Sequence, residues 1–125
     1  MMVNMVSEQF LMQIYRAFNK REIETVLSFV QPDVKWANGI EGGFVYGRDA
    51  VREYWRKQFE VVQPQLEPLK FERDENKRHV VTVRQIVRDM SGNLVLDQTV
   101  RQIFTIENGL ISVFEIGDSE PLSKA

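Results

Sequence analysis

Hydrophobic positions in the first half of the chain repeat at steps of three and four. Over Ser7–Asn19, the residues Phe10, Ile14, Ala17 and Phe18 share one stripe. That period predicts an amphipathic helix, with Ser7 as the N-cap whose hydroxyl accepts from a free backbone N–H. A second short helix is expected over Glu22–Val30, burying Ile23, Val26, Leu27 and Val30. Pro32 ends it, because its ring disfavours helical geometry in the residue before it. The stretch DVKWANGIEGG, Asp33–Gly43, then begins as a strand and dissolves into a glycine-rich loop. A third helix follows Gly47, where RDAVREYWRKQFE brings Val51, Tyr54, Trp55 and Phe59 to one side. Asp49 in its first turn suits the positive end of the helix dipole.

After QPQLEP the period drops to two. Leu69–Glu75, His79–Asp89, Leu94–Ile106 and Leu110–Gly117 read as strands rich in Val, Ile, Thr and Phe. Ser91–Gly92 and Asn108–Gly109 are two-residue hairpin signals. Helices followed by an antiparallel meander predict an α+β domain whose sheet buries one face on the helices. With no repeat, linker or low-complexity tract, residues 1–125 read as a single domain.

The two turns fix a register. A turn at Asn108–Gly109 sets Ile106 opposite Ile111, Phe104 opposite Val113 and Gln102 opposite Glu115. A turn at Ser91–Gly92 sets Val83 opposite Val100, Gln85 opposite Gln98 and Val81 opposite Gln102. Cross-strand partners share a face. The expected inner face is therefore apolar, with Gln85, Gln102 and Glu115 set into it. The other face carries Thr82, Arg84, Arg88, Asp97, Thr99, Arg101 and Thr105, relieved by Val80, Ile86, Val95 and Ile103. A slip of one residue at either turn inverts these assignments.

Composition narrows the chemistry. A net charge of −2 gives no basic excess for nucleic acid or an acidic membrane. The absence of cysteine removes disulfides, thiolate metal sites and cysteine nucleophiles. With His79 as the one histidine, neither a multi-histidine metal site nor a serine–histidine–acid triad is expected. No carboxylates have calcium- or magnesium-loop spacing, and GIEGG lacks the lysine and hydroxyl of a phosphate loop. It reads instead as a tight or mobile loop. No cofactor is expected. No apolar run approaches bilayer length, and MMVNMVSEQF lacks the pattern of a signal peptide, so the expected location is cytoplasmic.

The segments IYRAFNKREIETVLSFVQPDVKW, YGRDAVREYW and QIFTIENGLISVFEIGD, taken in order, resemble the nuclear transport factor 2-like superfamily and, within it, the SnoaL-like proteins related to ketosteroid isomerase. The resemblance implies a cystatin-like α+β cone: N-terminal helices packed in a strongly curved antiparallel sheet around a central pocket, often dimerised through the outer sheet face. Such a fold predicts a pocket and does not predict a reaction. Set beside the isomerases, their general-base aspartate falls on Asn38, their oxyanion tyrosine on Ile14 with Tyr15 one step off, and their second oxyanion donor on Gln102. An amide abstracts no proton at neutral pH, so steroid-type isomerisation by that route is not expected.

Glu115 is the expected catalytic acid or base, raised in pKa by an apolar inner face. The competing reading pairs it with an arginine or has it cap a backbone group at the rim. Trp36, Asn38, Tyr54, Gln85, Gln102 and Phe104 are the expected ligand-binding set. Asn38 offers a donor and an acceptor without charge. Two functions stand open. One is a cofactor-independent isomerase, cyclase, dehydratase or hydrolase acting on a small, largely apolar molecule. The other is a non-catalytic ligand-binding protein or dimeric interaction module. The ligand is not legible, and neither nucleic acid nor membrane is expected as a partner.

Overall fold

The computed structural model describes residues 2–39 and 41–121, with side chains described over 7–39 and 41–117. The elements run α1 (Met2–Asn19), α2 (Ile23–Leu27), β1 (Val30–Ala37), β2 (Phe44–Tyr46), α3 (Arg48–Val61), β3 (Val62–Arg73), β4 (His79–Asp89), β5 (Leu94–Glu107) and β6 (Leu110–Pro121). The strands form one sheet in the order β2-β1-β6-β5-β4-β3. Pairing is antiparallel except between β1 and β6, which run parallel. The sheet curves around the helices as an α+β cone.

The first helix begins before Ser7, which therefore sits inside it and is no N-cap. Nothing between Met2 and Ser7 is a helix breaker, so the backbone continues upstream. It stops after Asn19, where Arg21 takes φ 64° and Glu22 N–H bonds back to Ala17 O at 2.9 Å. The second helix is shorter than expected and ends at Leu27. Val30 already belongs to β1, and Pro32 falls where the β1–β6 register is irregular, so it interrupts no ladder bond.

The segment QPQLEP is strand. Pro64 and Pro68 lie on β3, the sheet's edge, where a missing N–H faces away from the ladder. The outward edge of β3 is covered in part by α1. Asn19 Nδ2 donates to Leu66 O at 2.8 Å while Asn19 Oδ1 accepts from Leu66 N–H at 2.9 Å.

The β4–β5 register is as expected from Val81↔Gln102 through Val87↔Leu96, although the turn is longer than two residues. Asp89 and Asn93 close it, with Asp89 Oδ1 accepting from Ser91 and Asn93 N–H at 2.9 Å each. A bulge at Val95, between Leu94 and Leu96, restores the predicted alignment.

The β5–β6 register departs. Asn108 (φ 53°) and Gly109 (φ 80°) make the expected primed turn, and Ile106 faces Ile111. Then Thr105 pairs with Val113, leaving Ser112 as an extra residue on β6. Past that bulge Phe104 faces Phe114, Ile103 faces Glu115 and Gln102 faces Ile116. Phe114, not Val113, is thus the inner-face residue. It is buried with Trp36, Trp55 and Phe104 in the core.

Candidate functional site

Inside the cone lies a cavity of about 760 Å³. Helix α1 supplies Ile14, Tyr15 and Phe18 to its wall, and α3 supplies Tyr54, Trp55 and Gln58. The strands supply Trp36, Gln85, Gln98, Val100, Gln102, Phe104 and Phe114, with Asn38 at the end of β1. All six residues expected to bind a ligand therefore line one space. The exposed apolar residues Phe44, Val61, Leu96 and Ile116 form part of the wall toward solvent.

Aromatic packing sets its apolar side. Trp36, 7% exposed, stacks on Phe114 with ring centroids 4.2 Å apart and 22° between planes. Trp55 meets Trp36 edge-on at 5.2 Å, and Phe104 is tilted on Phe114 at 5.2 Å. Such pairs fix ring orientation beyond what burial alone does.

The deepest polar contact joins α1 to β5. Tyr15, 3% exposed, donates its hydroxyl to Gln102 Oε1 at 2.7 Å. Burial pushes the phenol well above its ordinary pKa, so it stays protonated and acts as a donor at neutral pH. The sequence comparison had placed Ile14 at the tyrosine position and Tyr15 one step off. Both Ile14 and Tyr15 line the cavity, because a helical stripe is wide enough to turn adjacent residues toward one space. The signal was the run Leu11, Ile14, Tyr15, Phe18.

Nearer the mouth, Gln98 Nε2 donates to Gln85 Oε1 at 2.9 Å across the expected cross-strand pair. At the end of β1, Asn38 is a loop-organising residue. Its Oδ1 accepts from Glu41 N–H at 2.9 Å, its N–H donates to Gly43 O at 2.9 Å, and its carbonyl accepts from Gly42 N–H at 2.9 Å. An amide oxygen capping its own turn is a usual role for asparagine. Tyr54 Oη accepts from Gly39 N–H at 3.1 Å, tying the same loop to α3.

Glu115 is placed differently from expectation. The Ser112 bulge moves it out of register with Gln102 and onto the side of the sheet occupied by Ile103. It contributes to the wall as a β6 residue, yet its carboxylate accepts from Arg78 Nη1 at 2.9 Å, with Asp74 on the same arginine at 2.8 Å. Its flanking neighbours Phe114 and Ile116 are the ones opposite inner-face residues. The arginine-paired reading describes this geometry. Without Glu115's carboxylate, the cavity wall among the described residues holds amides, phenols and hydrocarbon, with no Asp, Lys, Arg or His.

The single histidine lies elsewhere. His79 joins Glu8, Leu11, Phe71 and Arg73 around a smaller cavity of about 260 Å³ near the β3–β4 turn. Among the described residues, no three His, Asp or Glu side chains gather as metal ligands. Likewise no helix is long and apolar enough to cross a membrane.

A curved sheet wrapped on three helices, with its cavity between them, defines an NTF2-like cone. The chain belongs to the SnoaL-like domain family, whose profile matches residues 11–114. It is similar in structure to an NTF2-like protein of unknown function from Burkholderia pseudomallei (26% identity, 88% of each chain, TM-score 0.76). It is also similar to a polyketide cyclase-like protein from Xanthomonas campestris (16% identity, 90% of each chain, TM-score 0.73). A third likeness is to SalBIII, an epoxide hydrolase/cyclase-like enzyme of pyran ring formation in salinomycin (15% identity, 97% and 99% of the chains, TM-score 0.78). The last two share the fold at low identity. No curated protein matches the sequence.

Proposed function

We propose that this protein binds a small, largely apolar, uncharged molecule in the cone cavity. The observation that carries the reading is the wall itself: a space of about 760 Å³ lined by aromatic rings and amides, whose one acidic side chain among the described residues, Glu115, is paired with Arg78. An anion entering such a space loses its hydration and meets no cation, which is costly. A hydroxyl or carbonyl meets the Tyr15–Gln102 pair, Gln85 or Gln98 instead. Trp36, Tyr54 and Phe104 supply the flat apolar contact, and Asn38 and Tyr54 shape the loop beside it.

This reading favours a binding role over carboxylate acid–base catalysis, and it removes Glu115 from the chemistry. The reactions such a wall supports are those driven by confinement and by polarising a carbonyl with neutral donors, as in a cyclisation. The polyketide cyclase-like and epoxide cyclase-like neighbours are consistent with that class. Homodimerisation through the outer sheet face belongs to the same proposal, supported by Val80, Ile86 and Ile103 standing half-buried there in a single chain. Sedimentation at low micromolar concentration reads it directly, and a strictly monomeric species removes it.

The test of the binding reading is calorimetric titration with hydroxynaphthalene and with naphthalene carboxylate. Binding of the neutral compound, weakened in Gln102→Leu, is the expected result. Equal binding of the carboxylate, or none of either, overturns it.

A further inference from the structure

We propose that the natural ligand is an elongated, uncharged molecule with a hydrogen-bonding oxygen at each end, and that β5 sets the distance between those oxygens. This rests on the reading of the cavity given above and names the class of molecule it takes.

The inner face of β5 carries Gln98, Val100, Gln102 and Phe104 in uninterrupted register with β4. Gln98 and Gln102 are four residues apart on one strand, which places their backbones about 13 Å apart at 3.3–3.4 Å per residue. Each is the head of a two-residue polar station. At the deep station, Gln102 is 7% exposed and its Oε1 is taken by the Tyr15 hydroxyl. Its Nε2 has no protein partner among the described residues, and no buried side-chain nitrogen or oxygen there lacks one. The amide nitrogen therefore opens onto the cavity. Turning the amide over reverses the bond and frees the phenol hydroxyl instead. Either way this station presents one donor and one acceptor.

At the outer station, the Gln98–Gln85 bond leaves Gln85 Nε2 and Gln98 Oε1 for a ligand, again one donor and one acceptor. Between the stations the inner face is Val100 paired with Val83, and Trp36, stacked on Phe114, also lines the space. A polar group in the middle of a ligand finds hydrocarbon and loses its water without replacement. Polar groups at the two ends are both satisfied. Neither station carries charge, so each suits a hydroxyl or carbonyl and neither suits a carboxylate or phosphate.

Three neutral probes test the spacing by calorimetry: the para,para′-diol of trans-stilbene, its mono-hydroxy analogue, and hydroquinone, which is too short to reach both stations. The diol is expected to bind about tenfold more tightly than the mono-hydroxy compound, the worth of one added hydrogen bond. In Gln98→Leu that advantage disappears, and the diol and the mono-hydroxy compound bind with equal affinity. Gln85→Leu removes the same station from the neighbouring strand and serves if the first variant fails to melt cooperatively. Equal affinity for diol and mono-hydroxy compound in the native protein overturns the spacing and leaves the cavity reading standing. No binding of any of the three overturns both.

Discussion

The Tyr15 hydroxyl donates to Gln102 Oε1 at 2.7 Å, joining α1 to β5 across 87 residues of chain. Both residues are buried, and the bond satisfies the phenol hydroxyl and the amide oxygen, leaving the amide nitrogen to the cavity. Tyr15→Phe leaves the glutamine carbonyl without its donor and is expected to cost about 1–3 kcal/mol. Gln102→Leu strands the phenol in the same way. The double variant removes both polar groups, so its loss in urea denaturation is expected to fall short of the summed single losses. Strict additivity contradicts the pairing.

Glu115 and Ser112 test the register of β6. Glu115→Gln breaks a partly exposed contact to an arginine that keeps Asp74, so stability falls by no more than about 1 kcal/mol. Binding of hydroxynaphthalene is expected to be unchanged. Deleting Ser112 removes the extra residue and keeps the pairs that follow it, Thr105 with Val113, Phe104 with Phe114 and Ile103 with Glu115. Phe114 then stays in the core and Glu115 on the side of Ile103, so the deletion variant is expected to fold and to bind hydroxynaphthalene. A deletion variant that does not fold contradicts the bulge, because in an unbulged β6 the loss of one residue turns Glu115's neighbours over.

Asn19 pins the first helix to the edge strand through both backbone groups of Leu66. Asn19→Ala is expected to cost roughly 1–3 kcal/mol by leaving those groups without partners. It also uncovers part of an unpaired strand edge, which favours association. Chemical denaturation and light scattering read the two effects separately. An unchanged midpoint and an unchanged particle size exclude the clamp.

His79 gives the pH dependence. Its pKa is lowered from the usual value, first by burial and then by the charge of Arg73, against an opposing pull from Asp74. The folded protein therefore binds fewer protons at this site than the unfolded chain. Its contribution is full above about pH 6.5 and is lost as pH falls through the depressed folded value. Asp74, Asp89 and Asp97 have the same sign, but their lowered pKa values act in more acidic solution. The melting temperature is expected to fall between about pH 7.5 and about pH 5, and to fall less in His79→Gln. Parallel profiles for the two proteins contradict the assignment.

Periodicity carried most of the fold. The stripe through Phe10, Ile14 and Phe18 located α1, and the alternation after Leu69 located the meander. Local chemistry hid the rest. Prolines hid the first half of β3, residues 62–68, so the strand was read only from Leu69, because an edge strand tolerates what a central one does not. Three residues, Phe44–Tyr46, were too few to show a period, so β2 was missed within the glycine loop. The β4–β5 turn was misread, yet its register survived because the bulge at Val95 offset the longer turn. No such offset comes between the Ser112 bulge and Glu115, and that single residue sets Glu115 opposite Ile103 in place of Gln102. Asn38 was legible as a neutral group at the end of β1, but its hold on the Glu41 N–H depends on a turn that alternation does not describe.

A crystal structure with hydroxynaphthalene bound is the most direct test of the account. The predicted result is ring density near Trp36 and Phe104, with the ligand oxygen within hydrogen-bond distance of Tyr15 Oη or Gln102 Nε2. Ring density confined to another surface, or a cavity closed by its own side chains, contradicts it.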